Sequence, residues 1–130
     1  MADNGLGTYL ATTEDVTVML HIPLNAAEQV KQLLSPFVSL RNCDSKRPEG
    51  MWEIQCVSHA AHSGSSLNLT GALCEPKHEV ALFEKTHKVT LSCEEPAFLP
   101  LAITRLATHL LRIESLNKGH CFFHGSAVSK

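Results

Sequence analysis

The chain predicts an α+β domain: two main helices on a mostly antiparallel sheet of about five to six strands. Three observations carry this. Val16–Ile22 and several later segments alternate apolar and polar residues with period 2. Two stretches, near residues 25–37 and 97–117, repeat their apolar residues with helical period. The elements follow in the order β-α-β-(β)-β-β-α-β. At 130 residues and 44% hydrophobic content the chain has the size and composition of one globular domain, burying about two-thirds of its unfolded surface.

Residues 1–13 read as a flexible lead-in, and 14–130 as a single α+β domain. In the first strand Val16, Val18, Leu20 and Ile22 alternate with Thr17, Met19 and His21, and Pro23 ends it. Asn25 with Glu28 three residues on has the form of a capping box. Ala27, Val30, Leu33, Leu34 and Phe37 then fall on one helical face, which Pro36 terminates. Asn42–Gly50 carries the Asn, Asp, Ser, Pro and Gly of a loop. Trp52, Ile54 and Cys56 alternate with Glu53 and Gln55 as a second strand. The small polar run His59–Ser66 is a connection, and strand-like segments follow at Leu67–Leu73, Glu79–Phe83 and Lys88–Cys93. The last two fit a hairpin across Glu84–His87. The strongest element is a helix over Ala97–Asn117, with an apolar stripe of Leu99, Ile103, Leu106, Leu110 and Ile113. Pro96 and Pro100 fall where a missing N–H costs little, and Gly119 sits where a left-handed C-cap would end the helix. Cys121–Val128 is apolar and strand-like.

Composition narrows the classes of function. A net charge of -2 and a pI near 6.4 do not suit an electrostatic nucleic-acid binder. The one basic cluster, Lys46-Arg47, is offset locally by Asp44 and Glu49. Met1–Thr8 lacks the basic and apolar regions of a signal peptide, and no apolar run approaches the roughly 18 residues of a membrane span. Five cysteines without a CxxC pair read as reduced thiols, so a cytoplasmic location with no membrane partner is expected.

Each candidate constellation has a plainer reading beside it. Among eight histidines, His59 and His62 are three apart but flank a Gly/Ser loop. His120 and His124 have the i, i+4 spacing of zinc helices, yet in a strand they would stand about 13 Å apart. No metal ligands are assigned. Ser126 follows Gly125, but His124 occupies the first Gly position of a GxSxG elbow. Cys121 and His120 are consecutive, so strand geometry points them to opposite faces. Glu94-Glu95 has the form of an acid–base pair, and equally of carboxylates favoured by a helix N-terminus. Gly5-Leu6-Gly7 precedes any expected strand, and no Gly-Lys pair exists to build a Walker A loop. No catalytic or cofactor-binding residue is assigned.

Gly119–Lys130 (GHCFFHGSAVSK) resembles the strand that precedes the phosphate loop in HPr kinase/phosphorylase and its relatives, a group related to bacterial phosphoenolpyruvate carboxykinase. Leu106–Ser115 (LATHLLRIES) is similar to the helix before that strand. The resemblance covers about the last quarter of the chain. It implies the N-terminal portion of an ATP-dependent kinase, ending before the nucleotide-binding loop, so that ATP and Mg²⁺ belong to residues beyond Lys130. Only His124 and Gly125 match the family pattern, as positions near the active-site sheet; a core histidine at His124 is the other reading. The implied partners are the rest of the kinase domain or a second copy, since Phe122 and Phe123 would otherwise form an apolar edge. A stand-alone α+β binding or dimerisation module is the alternative. A small enzyme using dispersed His and Glu side chains is the third.

Overall fold

The computed structural model describes residues 5–14, 16–57, 65–67 and 78–119. Within them the α+β class is observed. The strands are β1 (Leu6–Thr13), β2 (Val16–Pro23), β3 (Ser39–Asn42), β4 (Glu53–Cys56), β5 (Ser65–Leu67), β6 (His78–Phe83) and β7 (Lys88–Cys93). Two α-helices accompany them, α1 (Leu24–Leu34) and α2 (Leu99–Asn117), the second entered through a 3-10 turn at Pro96–Phe98.

The seven strands of the described residues form one sheet in the order β3-β1-β2-β4-β7-β6-β5. Antiparallel pairing dominates, within β3-β1-β2 on one side and β7-β6-β5 on the other. Strand β4 joins the two halves and runs parallel to both β2 and β7. The hairpin at Glu84–His87 forms as expected, with His87 at φ 56.

One face of the sheet is built for burial. Tyr9, Leu20, Ile54, Val89 and Leu82 lie in register across five strands. This row joins one apolar cluster with Val30 and Leu34 of α1 and Ile103, Ala107 and Leu111 of α2. The alternation Val16, Val18, Leu20, Ile22 is buried throughout, which is what sets the register of β2, since a one-residue slip would put all four on the opposite face. Both helices pack against this face. The opposite face carries the row Thr8, His21, Gln55, Thr90 and Ala81.

Several expectations need correction. Leu6–Thr13, placed in a lead-in, is a full strand paired on both sides. Its Thr and Tyr residues favour a pleated surface although its hydrophobic alternation is weak. Strand β3 begins before the expected loop, and Leu40 is buried there. The capping box at Asn25 does not form: α1 starts after Pro23 with no side-chain cap bond. That helix ends at Leu34, with Ser35 in the extended conformation that a following proline favours. Phe37 therefore falls beyond the helix, and Leu33 lies off the Ala27, Val30, Leu34 line, so both are exposed rather than part of the buried stripe.

In α2 the buried line runs Ile103, Ala107, Leu111 and Ser115, an i, i+4 series, and Ile113 stands on the far side. The helix closes as the sequence indicates. Lys118 N–H donates to Glu114 O at 3.1 Å, and Gly119 takes φ 84 with its N–H on Leu116 O at 3.0 Å.

Candidate functional site

The polar face of the sheet holds a connected set of side chains drawn from three strands and a loop. Antiparallel pairing places Thr8 of β1 opposite His21 of β2. Parallel pairing places Met19 of β2 opposite Glu53 of β4, so Glu53 lies diagonally beside His21 on the same face. The imidazole bridges its neighbours: Nε2 is 2.7 Å from Glu53 Oε1, and Nδ1 is 3.2 Å from Thr8 Oγ1. Arg47 Nε approaches the other carboxylate oxygen, Glu53 Oε2, at 3.3 Å.

The segment after β3 brings Arg47 there. Cys43 N–H donates to Thr8 O at 3.0 Å, which anchors the start of the loop to β1. Met19 N–H donates to Trp52 O at 2.9 Å, which anchors its end to β2. Arg47 Nη1 also donates to Met51 O, closing the loop on itself. Half-buried Trp52 packs against the core and meets the His87 ring edge-on at 5.0 Å.

Because a carboxylate only accepts, the Nε2–H of His21 donates to Glu53. In the neutral ring Nδ1 is then an acceptor, and the Thr8 hydroxyl donates to it. Hydroxyl, imidazole and carboxylate stand in one directed chain. They border a solvent-open cleft of about 510 Å³, whose other walls include Cys43, Ser45, Lys46 and Met19. The His21 and Glu53 side chains are 25% and 16% exposed, so the chain of bonds is partly shielded from water.

No protein-family model, curated protein or solved structure matches this chain.

His124 and Gly125, the family-motif positions, lie outside the described residues, as do His59, His62, His120, Cys121, Ser126 and the expected strand Cys121–Val128. Glu94 and Glu95 are exposed at the entry to the 3-10 turn. Arg47 is held by Glu53, not by the adjacent acids Asp44 and Glu49. His78 is buried and tilts against Phe98 at 5.3 Å. Among the described residues no three His, Cys, Asp or Glu side chains converge to hold a metal ion. No helix among them is long and apolar enough to cross a membrane.

Cys56 is buried at the end of β4, and desolvation, with a smaller contribution from Cys93, pushes its thiol up to about 12. It is a core thiol and not a nucleophile. Sequence reasoning passed over the Thr8–His21–Glu53 set because its members are 13 and 32 residues apart. The available signal was the alternation itself, which placed His21 and Glu53 on the polar faces of two neighbouring strands.

Proposed function

We propose that this chain is the N-terminal module of an ATP-dependent phosphotransferase related to HPr kinase/phosphorylase, acting in the cytoplasm. The observation that supports it is the element order into the C-terminal segment: a long helix, a Gly119 turn with φ 84, then the sequence GHCFFHGSAVSK. In this reading ATP and Mg²⁺ are held by a glycine-rich loop C-terminal to Lys130, because no Gly-Lys pair occurs within the chain. His124 and Gly125 stand near that loop, and the partner of the module is the rest of the kinase domain.

The coding sequence beyond Lys130 tests this directly. A GxxxxGK[ST] segment after one further strand supports the reading, and a stop codon sinks it. Calorimetry with ATP and Mg²⁺ adds a physical check: the extended protein should bind, and residues 1–130 alone should not.

A second reading is a stand-alone binding or dimerisation module. What favours it is the loop-walled cleft on the sheet face opposite the two helices. Light scattering that shows a concentration-dependent dimer of residues 1–130 would favour this reading over the first.

A further inference from the structure

We propose that Thr8, His21 and Glu53 form an acyl-transfer triad that acts on small esters entering the cleft beside them. This goes beyond the kinase reading and does not depend on it. The geometry meets the two requirements of an activated hydroxyl. The nucleophile–base separation, Thr8 Oγ1 to His21 Nδ1, is 3.2 Å, and the base–orienter separation, His21 Nε2 to Glu53 Oε1, is 2.7 Å. The roles of the two ring nitrogens are interchanged relative to a serine-protease triad, which leaves the proton logic intact. Nε2–H is held by the carboxylate, so Nδ1 carries the lone pair that faces the hydroxyl.

The surroundings suit the chemistry. Arg47 braces the second oxygen of Glu53 at 3.3 Å, so the carboxylate is gripped from both sides and cannot swing away from the ring. Thr8 and His21 both border the open cleft, as do the cationic side chains Lys46 and Arg47. Asp44 and Glu53 border the cleft too and balance the two cations. The Lys46 ammonium, a flexible donor at the wall, is therefore the group that would meet a negative oxygen developing on a bound ester. Thr8 is fixed by backbone bonds on both sides, to β2 and, through Cys43 N–H, to the residue that follows β3, so its hydroxyl is carried on a rigid strand.

The step balances without any further reagent. Thr8 Oγ1 forms a bond to the ester carbonyl carbon as its proton passes to His21 Nδ1, and the carbonyl π pair moves onto oxygen. Collapse of that intermediate breaks the carbon–alkoxy bond, and the leaving alkoxide takes the proton from Nδ1. Water then attacks the acyl-threonine carbonyl, giving its proton to Nδ1, and as the acyl carbon–Oγ1 bond breaks the departing Thr8 alkoxide takes that proton back. The products are a carboxylic acid and an alcohol.

The full chain is tested with p-nitrophenyl acetate by stopped flow, followed by quench and peptide mapping. The expected result is a burst of one p-nitrophenolate per chain, with one acetyl group on the peptide that carries Thr8. Thr8→Val keeps the β-branched shape and should abolish both the burst and the label. His21→Gln should slow the burst by about 10²-fold or more, the usual worth of a positioned general base. Glu53→Gln keeps an acceptor for Nε2–H but removes the charge, and should slow the burst without abolishing it. Far-UV circular dichroism and a urea midpoint for each variant separate loss of chemistry from loss of fold. Acetyl found on Lys46 or Cys43 instead of Thr8 overturns the proposal. So does a wild-type burst no faster than that of a folded His21→Gln chain.

Discussion

The same chemical change, isoleucine to alanine, should have very different effects at Ile54 and Ile113. Ile54 is fully buried at the centre of the sheet, flanked in register by Leu20 and Val89. Ile113 is 51% exposed on the outer side of α2. Truncation at Ile54 removes three methyl or methylene groups, a transfer loss of about 2.4 kcal/mol at ~0.8 kcal/mol each. Parallel pairing on both sides keeps the surrounding strands from collapsing into the space, so a cavity contribution brings the total to about 3–4 kcal/mol. At Ile113 only about half of the transfer loss applies, near 1.2 kcal/mol. The gain in helix propensity on going to alanine offsets about 0.4 kcal/mol of it. The two variants should differ by about 2–3 kcal/mol. Urea unfolding followed by the single tryptophan, half-buried Trp52, and by far-UV circular dichroism gives both values, provided the m-values match that of the wild type. If the two substitutions cost the same within about 1 kcal/mol, the orientation assigned to α2 or the centrality of β4 is wrong.

Three further outcomes follow from single sites. Thr90 Oγ1 is buried without a hydrogen-bond partner among the described residues, so Thr90→Val should raise stability by about 1 kcal/mol in the same urea assay; a loss would mean that the hydroxyl is satisfied. For Cys56 the folded thiol is raised from 9.0 to about 12, so its contribution to stability is fully present below pH 9 and is lost as pH rises towards 12. Cys56→Val should flatten that alkaline fall, and iodoacetamide at pH 8 should label half-exposed Cys43 and Cys93 before Cys56 in the folded chain. At Gly119 a Cβ meets nothing within 4 Å, so Gly119→Ala should cost only the backbone strain of φ 84, about 1 kcal/mol, seen as a lower urea midpoint.

The buried half of this fold was legible because its signal is local. Val16, Val18, Leu20 and Ile22 announce β2 within seven residues, and Gly119 announces the end of α2. Where the reading slipped, a tertiary contact outweighed local pattern. The Leu6–Thr13 strand has weak alternation because both its neighbours, β2 and β3, supply the pairing that holds it. Phe37 lost its place on a helical face because the helix stops at Leu34. In α2 the expected stripe is buried at Ile103, Leu106 and Leu110, but Ile113 is exposed and burial extends instead to Ala107, Leu111 and Ser115. A small alanine and a serine carry no hydrophobic signal, but they are what a helix needs to lie close to a sheet.

The polar site was illegible for a different reason. An apolar row can be inferred from one strand at a time, because each residue needs only to be buried. A directed chain of hydrogen bonds needs the register between strands, and register is a property of pairs. His21 alone is a polar residue on the solvent side of a strand, and Glu53 alone is another. They become a base and its orienter only because β4, 30 residues later in sequence, adds parallel to β2 with Met19 opposite Glu53. Arg47 shows the same effect within a loop: adjacency suggested Asp44 and Glu49 as its counter-charges, while the fold delivers Glu53. The β2–β4 pairing therefore fixes both the core row through Leu20 and Ile54 and the polar set through His21 and Glu53. A one-residue shift of β4 would exchange those faces, burying Glu53 and exposing Ile54. The apolar core thus enforces the geometry of the triad, and the chemistry on one face is held in place by packing on the other.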